Sequence, residues 1–349
     1  MSGKKSTRPT MQAVADAAGH SLSTVDRVLH GRSSVRADTA QHIREAAEAL
    51  GYYAAGVISE RVRDVRPRRT LGFLLQRPDA VFYRDLAAGL SAATEASPLM
   101  RGRAVLDHVR NQSPELVAER ITLLGGKVDA LAVVVADHPL ISEAIELLRS
   151  RQGVPVFALI SDLSTPARAG YAGLDNRRLG RTAAWFLAQM VRTPGPVAMY
   201  VGSPRFQCQE LSEISFRSYL REHAPQLEVL ETIPTLESED YGEERTHELL
   251  QRHPDLRGFY MGGSGIEGVL RALRARKPGS APPLIGVGNE LTAVTRSGLL
   301  SGHFHAVLSH PLPRLCEALV AQMANALAHP GGALSQVIVP LDIHVPQSV

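Results

Sequence analysis

A chain of 349 residues with 44% hydrophobic content is long enough for a small domain beside a two-lobed one, each with a packed core. No run of about 18 consecutive apolar residues interrupts it, which argues against a membrane span; MSGKKSTRPT leads into an amphipathic helix where a secretory signal would carry an apolar stretch, so a cytoplasmic location is expected. The net charge of +3 is uneven: residues 1–69 hold 12 Lys+Arg against 7 Asp+Glu and the rest 26 against 28, so the cationic surface that nucleic-acid phosphates need is concentrated at the N-terminal end. Cys208 and Cys316 are far apart with no CxxC spacing, which points away from a disulfide framework or a cysteine-based zinc site.

Residues 1–9, with Lys4, Lys5 and Arg8, read as a basic arm or a disordered terminus. From Thr10 to Tyr52 the spacing predicts three short helices. Thr10 caps the first, whose inward positions are Val14, Ala15 and Ala18, and Gly19 breaks it. Ser21 caps the second, with Val25 and Val28 inward and Leu22, Ser23, Thr24 and Arg27 outward. The third opens at Asp38, with Gln41 as capping-box partner, buries Ile43, Ala47 and Leu50, and ends at Gly51. A small-residue helix, a glycine turn and a helix with two inward valines form a helix-turn-helix, whose second helix enters the major groove. In that helix Arg27 suits bidentate pairing with guanine O6 and N7, with Ser23 and Leu22 reaching neighbouring bases.

The segments SLSTVDRVLHG and TAQHIREAAEALGY resemble the recognition helix and third helix of the lac/galactose/purine repressor (LacI) family. That resemblance places Leu22 and Ser23 at the specificity positions, Thr24 at a phosphate contact, and His30, Arg36 and Thr39 at further backbone-side positions; Thr10, at the start of the first helix, completes the expected DNA-binding set. Asp26 departs from the family's serine, either accepting from cytosine or pairing with a neighbouring cation, and His20 replaces an apolar residue. Residues 1–53 are thus expected to form a DNA-binding headpiece and residues 54–69 a hinge. The family's Pro-Asn hinge start is Ala54-Ala55 here, and Arg61 stands where a minor-groove leucine usually lies. Val57, Ile58 and Val62 are the nearest apolar wedge candidates; Arg61 and Arg63 suit phosphates, a narrow minor groove, or a solvated linker.

Residues 70–349 alternate strand and helix. LGFLL, RAVLDHV, DALAVVVA and VPVFALI build a first parallel lobe, with Ser113 and Pro114 opening one helix. YAGL, PVAMYVG, EVLETI, GFYMGG and PLIGVG read as a second, and the tail QVIVPLDIHV as a crossing back between lobes. The expected fold is an N-terminal all-α helix-turn-helix headpiece followed by a two-lobed α/β domain, similar to type 1 periplasmic binding proteins with parallel sheets and a ligand cleft at the strands' carboxyl ends. YAGLDNRRLGRTAA, SFRSYLRE and HPDLRGFYMGG resemble the repressor family's effector domain.

In that cleft the resemblance points to Phe82 and Tyr83 as aromatic ligand contacts. Asp162, Asp175, Glu210, Ser264, Asn289, Glu290 and His310 are further ligand candidates at strand ends or loops, any of which also suits helix capping. Ile160, Ser212 and Gly263 replace the family's aspartate, arginine and asparagine. Gly263-Ser264-Gly265-Ile266-Glu267-Gly268 is a formal GxGxxG with Glu290 about 22 residues beyond, a weak dinucleotide signal, and His303, His305 and His310 are a weak metal signal. No GxSxG, Walker A loop or HExxH is present, so no enzyme, cofactor or metal is expected. The expected function is a repressor that binds double-stranded operator DNA as a homodimer or tetramer, controlled by a small-molecule effector, a sugar or related polyol, with no membrane partner. The alternatives are a solute-binding protein of the same fold and a dinucleotide-dependent enzyme.

Overall fold

The computed structural model describes residues 9–30, 35–59, 66–275 and 283–349. The chain divides into two compact units, residues 1–69 with 94–103, and residues 70–93 with 104–349.

In the first unit, α1 (Met11–Ala18), α2 (Leu22–His30) and α3 (Ala37–Ala49) pack around Val14, Ala15, Val25, Val28, Ile43 and Ala47, all buried. Thr10 Oγ1 accepts from Ala13 N at 3.2 Å, and Gly19 takes a left-handed φ of 68°, so the first helix is capped and turned as its sequence dictates. Ser21 Oγ accepts from Thr24 N at 3.2 Å and caps α2. Two expectations fail at α3. It starts at Ala37 behind Arg36, with no side-chain cap, and Gln41 reaches forward to Glu45 at 2.7 Å, so there is no capping box. Leu50 is 38% exposed because the helix ends one residue before it; Tyr52, Ala54 and Ile58 close the core in its place. The helical core therefore runs past residue 53, through the helical residues 55–59. Ile58 is buried and so is not a wedge, whereas Val57 is exposed. Lys4, Lys5, Arg8, Arg61, Val62 and Arg63 lie outside the described residues.

The second unit holds two sheets. The first runs β12 (Ser335–Ile338), β5 (Gly170–Gly173), β4 (Val156–Leu159), β3 (Ala130–Val133), β1 (Arg68–Gln76) and β2 (Arg101–Val109). Helices α4 (Val81–Ala96), α5 (Pro114–Gly125) and α6 (Pro139–Gln152) connect its early strands, and Leu74, Ile121, Leu131, Ile145 and Val156 fill the core between α5, α6 and the sheet. Ser113 caps α5 with Pro114 in its first turn.

The second sheet runs β13 (Asp342–His344), β11 (Ala306–Ser309), β10 (Ile285–Asn289), β9 (Gly258–Met261), β6 (Gly195–Val201) and β7 (Leu227–Val229), with β8 (Ile233–Pro234) also on β6. Among the described residues only β13, paired with β11, is antiparallel in this sheet. YAGL was expected to begin the second lobe, but β5 pairs with β4 in the first; α7 (Asn176–Met190), which follows it, packs against the second sheet. Strand alternation reports a buried strand without reporting which sheet it joins. Three chain segments cross between lobes among the described residues: after β5, after β11 into the helix Leu312–Ala328, and between β12 and β13. The last is the crossing that the tail pattern predicts.

Candidate functional site

On α2 the outward face carries Leu22, 44% exposed, with Ser23 and Arg27 beside it, all exposed, while Val25, Val28 and Leu29 face the core. The Ser21, Ser23 and Thr24 hydroxyls are linked at 2.8–2.9 Å, and Arg27 folds back to donate to Ser23 O and Thr24 Oγ1, both at 3.2 Å. A guanidinium held, among the described residues, by exposed contacts of its own helix keeps the freedom to exchange them for a base edge. Asp26 meets His30, not Arg27, at 2.8 Å, which holds the carboxylate beside a ring able to carry positive charge. His20 stacks on His42 with ring centroids 6.2 Å apart. Arg36 is exposed and Thr39 half-buried at the start of α3, and Thr10 spends its hydroxyl on its helix cap.

Between the two sheets of the second unit lies a cavity of about 210 Å³. Its wall draws on the carboxyl ends of β1 (Gln76, Arg77), β4 (Ile160, Ser161), β9 (Gly262, Gly263, Ser264), β10 (Asn289, Glu290) and β11 (His310), and on the start of α4 (Phe82, Tyr83). This is where parallel α/β sheets bind ligands, because the loops that leave the strand ends converge there. Backbone strain collects at the same place: of the five non-glycine residues with positive φ among the described residues, Arg77, Ile160, Glu237 and Glu290 line the cavity. For Ile160, a β-branched residue at φ 66°, the conformation is costly and is held by Ile160 N on Ala172 O and by the Tyr171 hydroxyl on Ile160 O.

Polar contacts fix the wall. Glu290 accepts from His310 Nδ1 at 2.7 Å and from His310 N at 3.2 Å. Asn289 Nδ2 donates to Gly262 O at 3.3 Å. Arg77 joins the lobes, donating to Glu237 O at 2.7 Å, and Cys208 N donates to Ser161 Oγ at 3.2 Å. Phe82 packs edge-on to Tyr83 and at 6.1 Å from the His310 ring. Burial, reinforced by the negative charges of Glu237 and Glu290, pushes the Tyr83 phenol well above its ordinary range, so it remains a donor. Burial likewise pushes the Cys208 thiol up to about 11, which keeps it an inert wall residue.

Six of the nine expected ligand residues line this cavity: Phe82, Tyr83, Ser264, Asn289, Glu290 and His310. The other three stand elsewhere. Asp162 accepts from Arg168 Nη2 at 3.1 Å, and Asp175 caps α7 by accepting from Arg177 N and Arg178 N, each at 3.1 Å. Glu210 is exposed on α8 (Gln207–His223); one residue earlier on that helix, Gln209 faces the cavity and accepts from Gly202 N at 2.6 Å. Gln76, Arg77 and Gln209 were missed, the first two despite ending the first strand. Glu237 was missed because Leu236 and Glu237 turn through positive φ without a glycine to signal it.

The residues behind the two weak signals also have local packing roles. A Cβ at Gly263 would meet Gly202 N at 2.0 Å, and one at Gly268 would meet Glu239 O at 1.7 Å, so these glycines serve close backbone approach. His303 sits against Ser301 Oγ at 2.8 Å and His305 Nδ1 accepts from Gly286 N at 3.2 Å, both before β11 begins. No group of three or more His, Cys, Asp or Glu among the described residues is arranged to hold a metal ion, and no helix among them is long and apolar enough to cross a membrane.

An exposed helix-turn-helix followed by two parallel lobes over a cleft defines a class: a helix-turn-helix domain joined to a periplasmic-binding-protein-like domain. The chain belongs to the periplasmic binding protein domain family, matched over residues 103–331, and carries at residues 10–54 a region of the family of bacterial regulatory proteins, lacI family. It is 31% identical over 150 residues to the maltose regulon regulatory protein MalI of Escherichia coli (strain K12), covering 42% of this chain and 41% of that one. To the HTH-type transcriptional regulator CelR of Thermobifida fusca it is 26% identical over 289 residues, covering 77% and 78%. The chain spans 41% and 51% of the length of the first curated relatives it matches. A solved ABC transporter solute binding protein from Burkholderia graminis C4D1M, in complex with D-arabinose, shares the fold at a TM-score of 0.72 and 18% identity, over 80% of this chain and 96% of that one.

Proposed function

We propose that this protein is a sequence-specific transcriptional regulator, a repressor, whose operator binding is controlled by a small polar effector, a sugar or related polyol, in the inter-lobe cleft. Residues 1–53 serve as the DNA-binding headpiece, 54–69 as the hinge and 70–349 as the effector and dimerisation domain. Leu22, Ser23 and Arg27 read bases, while Thr10, Thr24, His30, Arg36 and Thr39 face the backbone. Phe82, Tyr83, Ser264, Asn289, Glu290 and His310 contact the effector. The protein acts in the cytoplasm as a homodimer, which places two recognition helices on the half-sites of a pseudo-palindrome.

The observation that carries this reading is the pairing, in one chain, of an exposed recognition-type helix with an open cleft at the carboxyl ends of the parallel strands of two sheets. A cavity of about 210 Å³ lies below the ~300–1,000 Å³ typical of drug-sized ligands, which favours a small molecule over a dinucleotide. The chemistry is binding alone: the effector changes DNA affinity by its preference for one of two lobe arrangements. The test is to incubate the protein with fragmented DNA from its own source at moderate salt, with and without pooled metabolites, and to sequence what it retains. A shared two-fold-symmetric site whose retention changes with metabolites is expected; no enrichment under either condition overturns the reading.

A further inference from the structure

We propose that the cleft is built for a polyhydroxylated amine, an amino sugar or its open-chain equivalent, and rejects sugar acids and sugar phosphates. This rests on the reading of the cleft as the effector site and names the class of effector.

Charge is the first ground. Five carboxylates line the cavity, Asp79, Glu237, Glu239, Glu267 and Glu290, against one guanidinium, Arg77, and one imidazole, His310. Asp79 is met by Arg77 at 3.6 Å and Arg110 at 3.2 Å, and Glu239 by Arg271 at 3.1 Å. Arg77 spends its other contact on the backbone carbonyl of Glu237, which leaves the Glu237 carboxylate uncompensated by it. Glu290 has only His310, and neither Glu237 nor Glu267 has an ion pair among the described residues. All three are half-buried, where a ligand anion would add like charge in a medium that screens it poorly and an ammonium would supply the missing cation.

Hydrogen-bonding capacity is the second, independent ground. His310, its side chain 5% exposed, commits Nδ1 to Glu290, and its Nε2 is buried on the cavity wall with no partner among the described residues. In the tautomer that places the proton on Nδ1, donating to the Glu290 carboxylate, Nε2 carries the ring's free lone pair and accepts. Asn289 commits Nδ2 to Gly262 O, and its Oδ1 is buried with the Tyr260 hydroxyl close by. A buried acceptor without a donor is costly until a ligand supplies one. An ammonium brings three donors and no acceptor, and adjacent hydroxyls bring more. Phe82 and Tyr83 add an apolar and cation-tolerant surface for the ring that carries them.

The test uses calorimetric titration of the full chain at pH 7 and fixed ionic strength. The probes are D-glucosamine, D-galactosamine and D-mannosamine, their neutral parent sugars, the matching uronic acids and the 6-phosphates. At least one amine is expected to bind about tenfold or more tightly than its parent, with the acids and phosphates silent. Glu237→Gln should weaken that amine by about tenfold while leaving thermal unfolding unchanged, and Asp255→Asn, exposed on a distant turn, should alter neither. A neutral sugar or an acid that binds as well as its amine overturns the inference and leaves the effector-site reading standing. Silence from all three amines, or an amine indifferent to Glu237→Gln, also overturns it, and the effector-site reading then rests on the metabolite dependence of operator retention.

Discussion

On α2, Leu22, Ser23 and Arg27 come from six consecutive residues and face solvent, whereas the cleft gathers Arg77, Glu237 and His310 from strand ends and loops spread over more than two hundred residues. The first surface lies in the stretch of the chain with a cationic excess; the charged side chains that line the second are mostly carboxylates. The local surface needs only a stable helix behind it, so its side chains are held loosely, by their own helix. The assembled surface needs both lobes in register, and it shows the cost of assembly in strained backbone at Arg77, Ile160, Glu237 and Glu290. Under the proposed function, a surface for DNA and a surface for a small molecule that are built this differently can each change without redesign of the other.

The contrast can be broken from both sides. Ile58→Ala, which removes a fully buried side chain from the helical unit, should cost about 2–4 kcal/mol there and abolish operator binding, with cleft-ligand binding by calorimetry unchanged. Gly263→Ala should do the reverse: its Cβ meets Gly202 N at 2.0 Å, so the second lobe loses about 1–3 kcal/mol in thermal unfolding and the ligand is lost, while binding to random DNA survives. Arg27→Ala sharpens the claim about base reading, with a loss of about 1–3 kcal/mol of discrimination between operator and random duplex in anisotropy titrations. Equal loss on both duplexes would remove Arg27 from base recognition. The smallest effect is expected from Thr10→Ala, about 1 kcal/mol of helical-unit stability from one lost cap, read by the same unfolding measurement.

How much was legible in the sequence follows the same division. In the helical unit the caps at Thr10 and Ser21, the left-handed Gly19 and the valine pair of α2 are all local signals, and each appears as read. Leu50 failed because i, i+4, i+7 spacing has meaning only while the helix continues, and α3 stops at Ala49. In the second unit the strands were legible as apolar runs, but GYAG could not announce its sheet, since that is decided by pairing with β4. Strand-end reasoning pointed to Asn289, Glu290 and His310, which line the cavity. It pointed equally to Asp162 and Asp175, whose carboxylates meet an arginine six residues on and a helix start. It stepped one residue too far at Glu210, where about 100° of helix rotation separates an exposed side chain from the cavity-facing Gln209. Glu237 had no sequence signal, because its placement depends on two successive left-handed residues that are not glycine.

The coupling between the two surfaces is the central claim, and one titration tests it most directly. A labelled operator duplex recovered from the enrichment experiment is bound by the full chain and followed by anisotropy, with and without a cleft ligand at a concentration that calorimetry shows to be saturating. The account predicts a change in apparent operator affinity of about 5–150-fold, with unchanged affinity for random DNA. Full occupancy of the cleft with no change in operator affinity would contradict it.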